Sequence, residues 1–301
     1  MANMLVTGGA GFIGSNLVDA LIGVGHRVIV IDNLSTGKEE NLNKEAEFHN
    51  ADISNLDQIR PLFNGVDFVF HLAAMARMPL TIEKPIESNM TNINGTLNVL
   101  FASHAANVKK VIFSSSCSVY GEQEESPVRE DMICNPLSPY GLQKLTGERY
   151  CKLFSVIYNL PTVCLRYSSV YGPRQSMEGT YMPVISIFLG QKERGEPLTI
   201  TGDGGQTRDF THVSDVVRAN ILAVESGSVG RADIVNIAGG KEYSIRHLAE
   251  MISDKIEYQN KREGDIYRNL VDITLAKKIL GWEPEYDLES GLEDLMKNNL
   301  K

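Results

Sequence analysis

The stretch Val6–Asn16, "VTGGAGFIGSN", decides the fold. It sets Gly8, Gly11 and Gly14 directly behind a short apolar run and at the mouth of an amphipathic segment, Phe12 to Val24. Glycines so spaced permit a tight turn, let backbone N–H groups approach a pyrophosphate, and allow a helix to pack close on a strand with its dipole facing the negative charge. Glycines also serve ordinary turns, so the context decides. A second apolar run, "RVIVID", ends in Asp32, 18 residues after Gly14. A carboxylate there can accept both hydroxyls of an adenosine ribose. It would repel a 2′-phosphate, and no arginine follows in "DNLSTGKEE", so NAD is favoured over NADP. Asp52 in "NADI", after the third strand, has two readings, a partner for the adenine amino group or a cap on the next helix.

The same rhythm continues outward. "DFVFHLA", "KVIFSSS" and "PTVCLRY" alternate with helical periodicity such as that of Met90 to Ala106. Alternation of this kind predicts βαβ units and a parallel sheet covered on both faces, an α/β fold of the Rossmann, doubly wound type. After Tyr167, Gly, Pro and charged residues interrupt the runs, and the remainder reads as shorter helices and strands over the carboxyl edge of the sheet. The expected division is a dinucleotide-binding domain over 1–167, with a return segment near 212–238, and a smaller, intertwined C-terminal α/β substrate domain over most of 168–301. No flexible linker, repeat or low-complexity tract is visible.

Composition narrows the partners. The chain has 301 residues, 43% of them hydrophobic, and a formal charge of −9. That charge argues against a polyanion-coating surface, so nucleic acid is not an expected partner, and any phosphate has to be met by a few placed cations and helix N-termini. Cys117, Cys134, Cys151 and Cys164 form no CxxC pair and have no His in ligand spacing, which fits reduced thiols and no metal site. No leader pattern opens the sequence and no apolar run reaches the length of a membrane span, so a soluble, cytoplasmic protein is expected.

Chemistry enters at "SPYGLQKLTGERYCKLF", Ser138 to Phe154, which reads as a helix opened by Ser138 and Pro139. Tyr140 and Lys144, four apart, share one face of it. A tyrosine near pKa ~10 is a poor base at neutral pH. An ammonium held close, with the positive ring of an oxidised nicotinamide, would stabilise the phenolate and bring that value toward the working range. Spacing alone would leave an ordinary surface pair. A serine-rich strand end, "FSSS" (Phe113–Ser116), in a chain that already carries a dinucleotide signature tips the reading toward a reacting group.

The order of Gly-rich turn, Asp32, "HLAA", "NINGT", "SSS", "YGLQK", "RYSSVYGPR", "GDGGQTRDFTHVSD" and "REGD" resembles the extended short-chain dehydrogenases that act on nucleotide sugars, over essentially the whole chain. The resemblance implies that Tyr140 is the catalytic base, that Lys144 binds the nicotinamide ribose and tunes Tyr140, and that Ser116 shuttles or steadies the proton at the sugar oxygen. It implies a cofactor site made of the glycine turn with Phe12 and Ile13, Asp32 and Asn33, Asp52 and Ile53, Leu72, Ala73, Ala74 and Asn92, together with Ser114, Tyr140, Lys144 and Tyr167. Asn94 competes with Asn92 for its role. On the substrate side it implies Ser116, Ser118 and Tyr140 at the sugar, with Arg208 and Arg262 gripping the diphosphate. Asp265 would lie beside the nucleotide's ribose or orient the arginine. Arg174 in "YGPRQ" either joins them or braces the fold.

Three departures from relatives shape the expected reaction. Dehydratases of this group carry an acid pair after the first hydroxyl, in a "TDEVYG" pattern, where this sequence has Cys117 and Ser118. Without those carboxyls the expected course is oxidation at C4, turning of the 4-keto sugar, and return of hydride to its other face, which is 4-epimerisation of a UDP-hexose. Cys117 reads as a small packing residue more readily than as an acid. Many relatives read "RYFNVYG", and Ser169 stands where their asparagine reaches the diphosphate. Asn269, seven residues past Arg262, occupies a position that is aromatic or small in relatives and tunes room at C2. Its intermediate size implies a pocket for UDP-glucose and UDP-galactose with access for N-acetylated counterparts. The apolar positions of Met90 to Ala106 (Leu97, Val99, Leu100, Phe101) and of Tyr140 to Tyr158 match a pair that forms a four-helix homodimer contact in this family, although packing inside one subunit yields much the same pattern. Competing readings are a net reductase or dehydrogenase on a nucleotide sugar, a dehydratase, and a non-catalytic NAD-binding module.

Overall fold

Along β1 (Asn3–Thr7), Met4 and Val6 enter one apolar core and Leu5 the other. After α1 (Phe12–Gly23), β2 (Arg27–Asp32) repeats the pattern, with Val28 and Val30 on the first side and Ile29 and Ile31 on the second. Strand geometry sends successive side chains to opposite faces, so a run that is apolar at every position requires cover on both. The computed structural model describes residues 1–177, 182–260 and 267–299.

The chain continues through β3 (Glu47–Asn50), α2 (Leu56–Ile59), β4 (Phe68–His71), α3 (Met78–Glu83), α4 (Pro85–Asn89), α5 (Gly95–Ala105), β5 (Lys110–Ser116), α6 (Pro139–Tyr158) and β6 (Thr162–Tyr167). A second group follows: β7 (Val170–Tyr171), α7 (Val184–Glu193), β8 (Leu198–Thr201), β9 (Thr207–Asp209), β10 (Thr211–His212), α8 (Val213–Glu225), β11 (Arg231–Ile237), β12 (Glu242–Ser244), α9 (Ile245–Ile252), β13 (Ile256–Gln259), α10 (Thr274–Leu280) and α11 (Leu288–Asn299). Seven parallel strands form the main sheet in the order β11-β6-β5-β4-β1-β2-β3. The chain leaves β1 toward β2 and β3, then returns to β4 on the other side. The order thus reverses between β1 and β4, and the carboxyl ends there open the crevice in which such sheets bind ligands.

Side chains of α1, α8 and α10 fill one face of the sheet, and those of α2, α5 and α6 the other. A third core joins α7, α9 and α11 with β8 in the smaller lobe. Each buried aliphatic or aromatic side chain contributes about 1.5–3 kcal/mol relative to exposure. On α5, Val99 and Leu100 are buried in the chain's own core while Phe101 stays exposed, so only part of that apolar pattern is free for another surface. No helix among the described residues is long and apolar enough to cross a membrane.

Two polar features lie within these layers. The Lys110 ammonium donates to the carbonyls of Ala223, Val224 and Ser226 at 3.0, 3.1 and 2.6 Å, closing the C-terminal end of α8 where carbonyls lack helical partners. Glu148 of α6 and Arg166 of β6 form a buried two-pronged pair at 2.8 and 2.7 Å, and Ser115 donates to the same carboxylate at 2.5 Å.

The helix expected from Met90 to Ala106 is divided. Met90–Asn94 forms a π-helical turn before α5 begins. That wider turn coincides with Asn92, whose side chain turns inward to meet two other segments.

Candidate active site

Gly8 follows β1 with φ +75°, and its N–H donates to the Ile31 carbonyl at 2.8 Å. A β-carbon there would sit 2.7 Å from the Ala73 nitrogen, and one on Gly14 would run into the Gly8 carbonyl. Side chains are excluded at these points by sterics, which leaves a backbone-lined cradle at the N-terminus of α1 fit for a pyrophosphate. Asp32 accepts from Ala10 N–H at 3.0 Å on one oxygen and from Leu34 N–H at 2.8 Å on the other. Each oxygen keeps a further lone pair, so the carboxylate fits a ribose diol. Phe12 and Ile13 open α1 beside this turn.

Asp52 accepts from Ser54 N–H at 2.8 Å and from the Asn33 amide at 3.0 Å. Burial tends to raise its pKa, but these hydrogen bonds outweigh it and hold the carboxyl below the usual range. The helix that follows is capped by Asn55, which accepts from Gln58 N–H at 3.3 Å, so the alternative reading of Asp52 as that cap is set aside. Ile53 is buried, and a β-carbon on Gly95 would strike its side chain.

The loop after β4 is held from below. Leu72 N–H donates to the Thr7 carbonyl at 3.1 Å and Ala73 N–H to the Thr7 hydroxyl at 3.2 Å, with Ala74 next in line. Asn92 is held by partners from two other segments. Its amide donates to Met75 O at 3.0 Å and Gln143 Oε1 at 2.7 Å and accepts from Met75 N–H at 2.8 Å, so both of its N–H bonds are spent inside the protein. It shapes the loop and ties it to α6. Asn94, the competing choice, is exposed. Sequence reasoning missed His71, which links Thr7 at 2.7 Å and Thr96 at 2.9 Å. Burial, reinforced by Lys144, pulls its imidazole down to about 3, so it is a neutral spacer under the loop. The motif "HLAA" was the available signal.

Ser138 accepts from Gly141 N–H at 3.1 Å and Pro139 occupies the first turn, so α6 starts with its termini satisfied and carries Tyr140 inward. The Ser116 hydroxyl lies beside the Tyr140 phenol and favours its ionised form. Burial pushes the phenol up to about 12, the Ser116 contact opposing it. Lys144 donates to the Ser114 carbonyl at 2.6 Å and lies 4.9 Å from the Phe113 ring centroid and 5.8 Å from that of Tyr140. Burial draws its ammonium down to about 8, against the opposing influence of Cys151, Glu148 and Cys164. Burial thus holds the Tyr140 phenol above neutrality in the protein alone.

Ser116 also accepts from Ser118 N–H at 3.1 Å, which turns the chain after β5. The Ser118 hydroxyl is buried and has no hydrogen-bond partner among the described residues, a donor left for a bound molecule. Cys117 donates to the Arg166 carbonyl at 3.6 Å, and burial pushes its thiol far up, so it is no acid near neutrality. Tyr167 bonds Asn220 at 3.0 Å and contacts Ser114, bracing β6 against α8 at the rim of the site.

Arg208 lies on β9, half-buried, with one N–H on the Thr207 carbonyl at 2.7 Å. Asn269 N–H reaches the Thr207 hydroxyl at 3.4 Å, which sets it alongside β9. Ser169 adopts φ +32°, a left-handed conformation unusual for serine, and its carbonyl accepts from Thr211 N–H at 3.3 Å. Arg174 pairs with Asp19 of α1 at 2.6 Å, a contact that fits the bracing one of its two readings. Arg262 and Asp265 fall outside the described residues.

The model of the family described as "NAD dependent epimerase/dehydratase family" matches residues 4–238. A putative UDP-glucose 4-epimerase of Methanocaldococcus jannaschii is 43% identical, the match covering 98% of this chain and 99% of that protein. The crystal structure of a UDP-glucose 4-epimerase from Thermotoga maritima with UDP-glucose superposes with a TM-score of 0.94 at 41% identity, covering 99% of this chain and 100% of the other. A UDP-N-acetylglucosamine 4-epimerase from Methanobrevibacter ruminantium, in complex with UDP-N-acetylmuramic acid, does so with a TM-score of 0.94 at 40% identity over 99% and 98%.

Proposed function

Because the chain belongs to the NAD dependent epimerase/dehydratase family, we propose that it interconverts UDP-hexoses by 4-epimerisation through a 4-keto sugar. In this reading residues 1–167 with the return segment 212–238 hold the cofactor, and most of 168–301 holds the nucleotide sugar. When bound, NAD accepts hydride from C4 and gives it back, and in its oxidised form brings a positive charge to the site.

The chain's own residues divide the remaining work. Tyr140 takes the O4 proton and later returns it, with Ser116, beside the phenol, passing or steadying it. Lys144, fixed on the Ser114 carbonyl, orients the nicotinamide-side ribose next to that phenol. Ser118 offers its unpaired hydroxyl to the sugar. Arg208, with Arg262, holds the diphosphate so that the keto sugar can turn while its nucleotide stays in place.

The observation that carries this reading is the Ser116–Tyr140 pair at the end of β5, followed at once by Cys117 and Ser118. A base is present for oxidation at C4, and no carboxyl follows it to expel water, so the ketone has no exit except reduction. UDP-glucose and UDP-galactose are the proposed substrates, with N-acetylated counterparts admitted past Asn269. Exposed Phe101, Leu142, Leu153, Val156 and Ile157 on α5 and α6 support a homodimer through this helix pair. The absence of any disulfide among the four cysteines fits a reducing, cytoplasmic setting.

The test is product analysis by NMR after mixing the purified protein with UDP-galactose, and separately with UDP-N-acetylgalactosamine, while following the reduced-nicotinamide absorbance. Conversion to the 4-epimer with no lasting absorbance change is expected. Stoichiometric reduced cofactor or a stable keto product would overturn the epimerase reading.

A further inference from the structure

Asp209 is a buried carboxyl group outside the chemistry described so far. It has no exposed surface and closes β9 immediately after Arg208. One oxygen accepts the Val271 N–H at 3.1 Å and the other the Gly240 N–H at 3.1 Å. A β-carbon on Gly239 would run into the Phe210 carbonyl and come within 3.1 Å of Asp209 Oδ1, so glycine is what allows this approach. The donors at Gly240 and Val271 lie 31 and 62 residues along the chain from their acceptor.

Those two segments flank the strand that bears Arg208. β9 pairs antiparallel with β12, which follows the Gly239–Gly240 turn and sets Tyr243 opposite Arg208. On the other side, Asn269 N–H meets the Thr207 hydroxyl at 3.4 Å, and Thr207 N–H donates to the Tyr267 carbonyl at 2.9 Å. Asp209 is thus the fastening between Arg208, the turn before β12 and the segment that carries Asn269. Packing alone does not call for a carboxyl group in such a place. A buried ionisable group is costly, and apolar replacements of like volume are often neutral or better. What an apolar side chain cannot do is accept backbone N–H groups from two other segments and fix their register.

We propose that Asp209 is a positioning residue for the substrate diphosphate, holding Arg208 and the segment around Asn269 in the arrangement that grips UDP. The inference rests on the epimerase reading for the identity of that ligand. It acts on binding and leaves proton transfer at Tyr140 untouched.

The experiment is calorimetric titration of UDP into NAD-loaded wild-type protein and Asp209→Asn, alongside steady-state kinetics on UDP-galactose. The amide keeps the size but turns one acceptor into a donor facing a backbone N–H. Affinity for UDP should fall about tenfold or more, the loss expected from one unsatisfied buried donor. KM should rise with it, while kcat stays within about threefold and NAD retention is unchanged. Equal UDP affinity in the two proteins, or loss of NAD in parallel, overturns the proposal. Should Asp209→Asn not fold, hydrogen exchange of the wild type decides. UDP should slow exchange in peptides covering 239–242 and 267–272 together with 207–209, and slowing confined to 207–209 overturns the proposal. Tight UDP binding without turnover would sink the epimerase reading alone, turnover with an indifferent Asp209 would sink this proposal alone, and wild-type protein that binds no UDP would sink both.

Discussion

The Lys144 ammonium donates to the Ser114 carbonyl at 2.6 Å, so it is aimed by β5 and not by the phenol beside it. Tyr140 and Lys144 ride on one helix, yet the strand sets where the cation ends, 5.8 Å from the Tyr140 ring centroid. The strand that supplies Ser116 to the phenol also supplies the anchor for the cation, and one displacement of β5 against α6 would disturb both.

Replacement Tyr140→Phe removes the proton acceptor and leaves this anchor whole. Turnover of UDP-galactose should fall about 10²–10⁴-fold, with NAD retained, as followed by NMR of the sugar and absorbance of the protein. Near-normal turnover would remove Tyr140 from the role of base.

Ser169 pays for its φ of +32° with a conformation that asparagine tolerates better. Ser169→Asn should raise stability by about 0.5–1 kcal/mol, measured by thermal unfolding, and lower KM for UDP-galactose because the longer amide reaches further. A lower melting temperature would show that the turn is built around the hydroxyl.

Breaking the Glu148–Arg166 pair strands a buried guanidinium. Glu148→Ala should cost about 3–5 kcal/mol in urea unfolding. Replacing both partners by apolar residues of like volume should cost far less, and equal losses would mean that the attraction itself, not the stranded charge, carries the effect.

Asp209 has a carboxyl raised from 3.8 to about 7, by burial first, with Glu242 adding to it and the N–H donors from Val271, Gly239 and Gly240 opposing. A folded-state value above the unfolded one means that its favourable contribution is complete below about pH 4 and is lost as pH rises through 7. The stability advantage of wild type over Asp209→Asn should therefore shrink across pH 4 to 7, by at most about 1.4 kcal/mol per pH unit. Parallel melting curves for the two proteins over that range would contradict the shift.

Asn269→Tyr should reduce turnover of UDP-N-acetylgalactosamine more than that of UDP-galactose, since an aromatic ring takes the room at C2. Paired kinetics on the two sugars check this. An equal effect on both would separate Asn269 from substrate choice.

How much of this was legible follows from the reach of each interaction. The glycine turn, Asp32, the Ser138 cap and the Tyr140–Lys144 spacing are local patterns, fixed by turn sterics and helical periodicity within a few residues. The sheet was legible because strands buried on both faces are apolar throughout. That Met75 and Gln143 take up the Asn92 amide is not visible in the sequence. The phenol's high pKa was hidden for the same reason, since burial is decided by neighbours far along the chain. His71, Asp209 and the Glu148–Arg166 pair depend on partners 18 to 64 residues away, and a lone polar residue in an apolar run does not announce which it will meet.

The place of β11 in the sheet has a consequence for how the molecule is made. When a ribosome has released residues 1–167, six strands are available and the outer edge of β6 is bare, because its neighbour is residues 231–237. An unpaired edge is a template for any other extended chain. That edge stays open through synthesis of β7, α7, β8, β9, β10 and α8, and Tyr167 meanwhile waits for Asn220. A fragment cut after Tyr167 would carry that open edge, and its complement a strand with no sheet to join.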